Sequence, residues 1–329
     1  MFGGRCVSIP VFLEFVMGHG GLARWAPAAD GGFAFENALA EMRAQPRFAK
    51  AMQHGVAASV AMFEGDPILR RAMKNVNTQV SSFFALYLAE SGGLTLARIQ
   101  QLCVDLGMMS PGRAVAMLAR WRLLRYVELA AEQPDRRKRI YAPTASMRWA
   151  VLRQLHKDLT ALALIEPEAQ AVADGFATRD IARRYVVRFG EWLIDLVRQY
   201  EETGGAADLF PERDAGLMIL NALLLSGEPG DVFPPAGPVR YSIASLARRF
   251  GVSRPHVRKL LRDAERRGLL RLGGEEGTGL LEPRLLEDAM HFHAVSFVGT
   301  AICAHAAMSA AEAEHRIGAH RGQYIAADI

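Results

Sequence analysis

The sequence predicts a mainly α-helical fold with two short β-hairpins, and three observations support this prediction. Apolar residues recur at helical spacing over most of the 329 residues, as on the buried side of a helix. Residues that begin and end helices separate these stretches. A polar or glycine-rich turn between strand-forming residues follows a pair of short helices twice. Half of the residues are hydrophobic, enough for the cores of two or three domains.

The predicted organisation has five parts. They are an N-terminal helical region (1–92), a first helix-turn-helix unit (93–145), a helical linker and dimerisation region (146–205), a second helix-turn-helix unit (206–283), and a C-terminal helix and tail (284–329). The N-terminal region is a candidate dimerisation layer. Pro67 marks a helix start in it, and Gly92 and Gly93 end a long apolar run.

In the first unit, Thr95 is placed to cap a helix that ends at Gly107, and Ser110 with Pro111 opens a second helix. The predicted helices span residues 96–106 and 110–122, and the predicted strands span residues 126–131 and 139–142 around a charged tip. Two helices, a tight turn and a hairpin in this order predict a winged helix-turn-helix.

The helical linker is predicted to contain helices over residues 147–164 and 178–202. One side of the second carries an apolar stripe, made of Ile181, Tyr185, Phe189, Trp192, Leu196 and Tyr200. The C-terminal helix has a small-residue face at Gly299, Ala301, Ala304 and Ala307. These surfaces exceed what two small units can cover, so we expect a homodimer that binds an inverted repeat with half-sites about 34–36 Å apart, or a multiple. The alternative is that the two units of one chain form a pseudo-two-fold reader.

The second unit repeats the pattern. Ser242 caps a helix over residues 243–250, Gly251 breaks it, and Ser253 caps a second helix over residues 254–267. A strand over residues 269–272 and a short strand near Leu280 flank a hairpin tip at residues 273–279. Before this unit, residues 227–238 contain four prolines and are predicted to be a loop.

Basic charge concentrates in the second unit, where residues 240–271 hold ten Lys or Arg and two acids, in a chain of net charge +4. Val257, Leu260, Leu261 and Ala264 form the buried stripe of its second helix. The opposite side is either a solvated basic face or a DNA-docking face, and Arg254 and Arg258 are the best candidates to read bases. The candidate DNA-binding residues are Ser110, Arg113, Arg120, Arg136, Arg137, Lys138 and Arg139 in the first unit, and Ser253, Arg254, His256, Arg258, Lys259 and Arg262 in the second. The second hairpin tip is acidic, with Glu275 and Glu276, and would repel phosphates.

Residues 94–143 resemble the winged helix unit of the MarR (multiple antibiotic resistance) family of regulators. The resemblance rests on Ser110, the run Asp135-Arg136-Arg137, and Tyr141-Ala142-Pro143-Thr144. It implies a symmetric dimer whose wing arginine, here Arg136 or Arg137, enters the minor groove. Arg125 stands where that family usually has a glycine. Residues 242–271 resemble winged helix repressors more generally.

These features predict a cytoplasmic, sequence-specific transcriptional regulator of double-stranded DNA with no membrane span. The alternatives are a replication-initiator-like DNA-binding protein and a winged helix module that binds proteins. The sequence has no phosphate loop, nucleophile elbow or metalloprotease motif, so we expect neither an enzyme nor a cofactor. Cys6, Cys103 and Cys303 are too far apart for a metal knuckle, and no metal site is expected along His291 to His305. A small-molecule effector is left open.

Neutralising Arg136, Arg137 and Lys138 should flatten the salt dependence of DNA binding while retaining most of the sequence preference, because phosphate contacts set the salt slope. Duplex titrations over a range of salt concentrations measure this. An unchanged slope would mean that the hairpin tip lies in solvent.

Overall fold

The computed structural model describes residues 21–25, 35–132, 139–201, 209–228, 232–273 and 277–326. These residues form a mainly α-helical fold with two three-stranded antiparallel sheets, so the predicted fold class is confirmed. A 3₁₀ helix at Gly21–Trp25 comes first. The α-helices are α1 Phe35–Arg43, α2 Phe48–Gly65, α3 Pro67–Ala72, α4 Val76–Glu90, α5 Leu96–Asp105, α6 Pro111–Leu123, α7 Ala145–Leu162, α8 Glu168–Gly175, α9 Arg179–Glu201, α10 Leu209–Glu212, α11 Gly216–Leu224, α12 Ile243–Phe250, α13 Arg254–Arg266 and α14 Pro283–Ala326. The strands are β1 Leu94–Thr95, β2 Val127–Leu129, β3 Ile140–Pro143, β4 Pro238–Arg240, β5 Leu270–Leu272 and β6 Thr278–Leu281.

Helices α1 to α4 form an N-terminal layer, in which side chains cap the N-termini of α3 and α4. Asp66 caps α3 by accepting hydrogen bonds from the amides of Ile68 and Leu69, at 3.0 and 2.9 Å. Pro67 lies in the first turn of α3, where a missing N–H costs nothing, as predicted. Asn75 and Thr78 form a reciprocal capping box at the start of α4. Helices α3 and α4 are therefore joined by three residues, 73–75, with a defined cap on each helix.

The two units have the same strand and helix order. The first is β1, α5, α6, β2 and β3, with sheet order β1-β3-β2; the second is β4, α12, α13, β5 and β6, with sheet order β4-β6-β5. In both sheets all pairs are antiparallel. The predicted helices and hairpin strands of both units lie within about two residues of the observed bounds.

The sequence analysis missed the first strand of each sheet. Strand β1 has only two residues, too few for a visible alternation. Strand β4 begins with Pro238, inside the stretch predicted to be a loop. Both are edge strands, and proline is compatible with the first residue of an edge strand because it need not donate to the ladder.

The two surfaces that led us to expect a homodimer cover each other within one chain. Helix α9 packs along α14, and it also packs against α4. Tyr185 and Phe189 of the stripe are buried, and Gly299 of α14 lies directly against the indole of Trp192. The homodimer stays a prediction. The apolar stripe of α9 and the small-residue face of α14 do not support it, because these residues pack against each other within one chain. Tyr200 lies outside the side chains that the structure describes.

One segment, Pro283–Ala310 of α14, is long and apolar enough by length and composition to cross a bilayer, with a mean hydropathy of 1.3. Of its apolar window, 56% is buried inside the fold, against α1, α7 and α9 among other elements. That burial is typical of a core helix.

The Gly299→Ala variant should lower the free energy of unfolding by about 1–3 kcal/mol, because an added Cβ would overlap the Trp192 ring in a packed interface. The matched control is Gly112→Ala in α6, where a Cβ meets nothing within 4 Å. That variant should be neutral or more stable by up to about 1 kcal/mol. Denaturant unfolding of both variants measures the difference, and equal midpoints would contradict the close packing of α9 on α14.

Candidate nucleic-acid interface

Helix α13 is amphipathic and sharply capped. The hydroxyl of Ser253 accepts a hydrogen bond from the amide of His256 at 3.2 Å, which satisfies one of the first free N–H groups. Pro255 lies in the first turn. The predicted buried stripe is confirmed, because Val257, Leu260, Leu261 and Ala264 are all at most 2% exposed.

The other side of α13 is basic and open to solvent. Its exposed basic residues are Arg254, Arg258, Lys259, Arg262 and Arg266. A shallow groove runs along this side, lined by Pro255, Arg258, Lys259, Arg262, Asp263, Glu265 and Arg266. We call the four residues Arg254, Arg258, Lys259 and Arg262 the basic face of α13.

Acidic side chains near this face are engaged elsewhere. Asp263 pairs with Arg266 and, at 3.9 Å, with Arg213. The hydrogen bond from Arg266 lowers the pKa of Asp263, so this carboxylate stays ionised and neutralises Arg266. Glu265 accepts a hydrogen bond from the amide of Leu272 at 3.1 Å. In the described parts of the chain, no ion pair engages any residue of the basic face of α13.

Several other basic residues of the second unit are paired within the chain. Arg240 binds Glu228 at 2.9 Å, and Arg249 binds Glu64 of α2. Arg271 binds Glu282 at 2.9 Å. The charge excess counted from the sequence is therefore partly neutralised, and what remains unpaired lies largely on α13.

The structure places His256 differently from the prediction. Its Nε2 lies 2.9 Å from the backbone oxygen of Asp214, and the residue is half-buried. The ring of His256 therefore faces the segment between α10 and α11. His256, one of the candidate DNA-binding residues, therefore lies outside the basic face of α13 and holds α13 against this segment.

Helix α6 of the first unit presents a different surface. Ser110 is its N-cap residue and Pro111 lies in its first turn, as predicted, but the Ser110 side chain makes no capping hydrogen bond. Gly112, Arg113, Val115 and Ala116 are exposed. Arg113 is the one long basic side chain in the first half of this helix, as predicted.

The remaining candidates of the first unit divide into three groups. Arg139 is exposed beside β3. Arg120 donates from Nε to the backbone oxygen of Arg71 at 2.8 Å, which fixes α6 against α3, so we assign it a positioning role. Arg136, Arg137 and Lys138 lie outside the described residues, as do Glu275 and Glu276 of the second hairpin.

The helix-to-strand corner is the same in both units. Arg125 has a φ of +56° and Gly268 a φ of +67°, both in the left-handed region. Glycine adopts this conformation without strain, whereas arginine adopts it at a cost. The first unit therefore has arginine at the corner where the second unit has glycine.

Trp121 of α6 is fully buried, and its Nε1 donates to the backbone oxygen of Ala72 at 3.3 Å. Trp121 therefore belongs to the core. Along α14, the ring of His293 packs against Phe292 and Phe297, and burial lowers the pKa of His293. In the part of the chain that the structure describes, no three His, Cys, Asp or Glu side chains meet as a metal site would require.

Two positions that the sequence analysis missed connect the units to the N-terminal layer. Asp214 accepts from Lys74 Nζ at 3.2 Å and from Asn75 Nδ2 at 3.3 Å. Glu64 binds Arg249. These residues are ordinary surface acids in the sequence, and no local motif marks them, because their partners lie 140 and 185 residues away.

Comparison with protein-family models, with curated proteins and with solved structures gives no match.

Replacing Ser253 with alanine should destabilise α13 by about 1 kcal/mol, because the amide of His256 loses its acceptor. The matched control is Ser110→Ala at the corresponding position of α6, where no capping bond exists. That change should stay within about 0.5 kcal/mol. Hydrogen exchange of the first amides of each helix measures both effects, and equal effects would contradict the asymmetry of the two caps.

Proposed function

We propose that this chain is a sequence-specific, double-stranded DNA-binding transcriptional regulator that uses two winged helix-turn-helix units. The basic face of α13 is the observation that carries the proposal. It combines four exposed basic side chains with no intramolecular ion partner in the described residues, on a helix whose opposite side is buried. Such a helix has the width and charge to enter the major groove of B-DNA.

The position of α13 within its unit supports the same function. In a helix-turn-helix, the N-terminal part of the second helix meets base edges while the first helix crosses the backbone. Arg254 and Arg258 lie in the first two turns of α13, where a guanidinium can bind guanine O6 and N7 with two hydrogen bonds. Helix α12 carries Arg248 in its last turn, which is suited to a phosphate contact.

The first unit makes the smaller contribution to DNA binding in this proposal. Its strand and helix order equals that of the second unit, yet α6 offers only Arg113 as a base-reading side chain. Arg139 stands beside the hairpin whose tip carries Arg136, Arg137 and Lys138 in the sequence. Positive charge at a hairpin tip favours phosphate or minor-groove contact.

Titration of the full chain with random and selected duplexes, at several salt concentrations, tests the proposal. A steep salt slope with a clear preference for selected duplexes supports it. Absence of a salt-dependent interaction with any duplex would favour a protein-binding module. A genome-wide binding map then separates promoter sites from tandem repeats at an origin, which a replication initiator would bind.

Replacing Arg254 and Arg258 together with alanine should reduce the ratio of specific to non-specific affinity by at least about 30-fold, because each bidentate arginine–guanine contact contributes roughly 1–3 kcal/mol of discrimination. The matched control is Arg183→Ala with Arg198→Ala on α9, which removes the same charge from exposed positions outside both units. The control should leave the ratio unchanged. Equal losses on selected and random duplexes would mean that Arg254 and Arg258 contact only phosphates.

A further inference from the structure

We infer that a single chain reads one continuous, asymmetric DNA site with both second helices, α6 and α13, because helix α3 and residues 73–75 hold these helices in one rigid frame. The inference rests on the proposed function and adds the form of the site. We call α3 together with residues 73–75 the strut.

The first unit is bound to one end of the strut through its recognition helix. Arg120 Nε donates to the oxygen of Arg71 at 2.8 Å, and Trp121 Nε1 donates to the oxygen of Ala72 at 3.3 Å. Both donors belong to α6, and Trp121 is fully buried. Two side chains of α6 therefore hold this helix against the last turn of α3.

The second unit is bound to the other end of the strut. The amide of Ala215 donates to the oxygen of Lys74 at 2.6 Å, and Lys74 Nζ lies 3.2 Å from the Asp214 carboxylate. On its other side, the oxygen of Asp214 meets His256 of α13 at 2.9 Å. Helix α13 is thus connected to the strut through one residue, Asp214.

The two attachment points are close together on a stiff segment. Arg71 and Lys74 are three residues apart, which limits their separation to about 11 Å. Leu69, Ala72 and Met73 are at most 2% exposed, so one side of the strut packs into the core. A second contact, between Arg249 of α12 and Glu64 of α2, restrains the same unit. No flexible linker separates the two reading helices along this path.

A rigid frame and a flexible tether have different consequences for DNA. A tether lets two units occupy segments at several spacings, with only a gradual loss of effective concentration. A rigid frame, whose attachment points are at most about 11 Å apart, permits only one spacing between the two DNA segments. Half-sites read by the two subunits of a dimer instead lie about 34–36 Å apart, or a multiple of that distance.

The two helices also favour different bases. The basic face of α13 is suited to guanine, through paired hydrogen bonds to O6 and N7. The exposed residues at the start of α6 are mostly small or apolar, namely Gly112, Val115 and Ala116 beside Arg113. Small apolar side chains contact the thymine methyl group. The expected site is a guanine-containing segment under α13 and a thymine-containing segment under α6, at one fixed spacing.

The first experiment selects duplexes with the full chain, counts chains per duplex by native mass spectrometry, and inserts 5 or 10 base pairs between the two segments. We expect one chain per duplex, and a loss of at least about 30-fold for both insertions, because the second segment's base contacts are lost. A palindromic site holding two chains, or recovery of affinity at 10 base pairs, would overturn the inference. Absence of any duplex binding would instead overturn the proposed function.

The second experiment weakens the strut with the triple variant Lys74→Ala, Asp214→Ala, His256→Ala, which removes the ion pair and also the contact of α13 with the backbone oxygen of Asp214. The matched control is Arg43→Ala, Glu287→Ala, which removes another exposed long-range ion pair without changing the net charge. The strut variant should bind the selected duplex and show an insertion penalty at least about threefold smaller than the wild type. The control should keep the full penalty. An unchanged penalty in a folded strut variant would mean that the strut does not set the spacing.

Discussion

The hydrogen bonds that the backbone of α3 and residues 73–75 accepts from both units are the constraint on which the arrangement depends. Arg71 and Ala72 receive donors from α6, and Lys74 receives the amide of Ala215, next to the residue that contacts His256. Among these acceptors the oxygen of Ala72 is buried with its partner Trp121, and leaving a buried acceptor unpaired costs about 1–3 kcal/mol. The positions of α6 and α13 are therefore tied to the folding of the N-terminal layer.

Pairing of charges within the chain determines where DNA-binding potential remains. Arg240, Arg249 and Arg271 each have an acidic partner, and Asp263 neutralises Arg266. Exposed pairs of this kind add little stability, often below about 1 kcal/mol. Their larger effect is on the surface potential, because they leave most of the unpaired basic charge of this unit on the exposed side of α13, with Arg248 on α12 and Arg267 after α13. A focused patch on a convex helix suits a groove better than the same charge spread over the domain.

Short sequence patterns predicted the helices and hairpin strands of both units well. They did not predict contacts between residues that are far apart in the sequence. Thr95, Ser242 and Ser253 were identified as caps because a cap depends on residues two or three positions away. The absent cap at Ser110 shows the limit, since the same residue type before a proline makes no bond here. His256 was counted among the DNA-binding residues because it lies off the buried stripe of its helix, whereas in the structure its ring contacts the carbonyl of Asp214, 42 residues earlier. Strands β1 and β4 gain their pairing from β3 and β6, which no window of a few residues contains.

The apolar stripe of α9 illustrates how a correct periodicity can support a wrong partner. An amphipathic stripe shows that a helix buries one side, but it does not show against what. Here the small residues of α14 let the two helices approach until Gly299 meets Trp192, and α4 covers the rest, with Gly190 against Tyr87. Both surfaces that called for a second subunit are used within one chain. The stripe of α9 and the small-residue face of α14 are thus buried against each other, and the exposed surfaces of α6 and α13 are unlike each other. Two unlike readers on one frame match an asymmetric site better than a palindrome, since a palindrome requires the same reader twice.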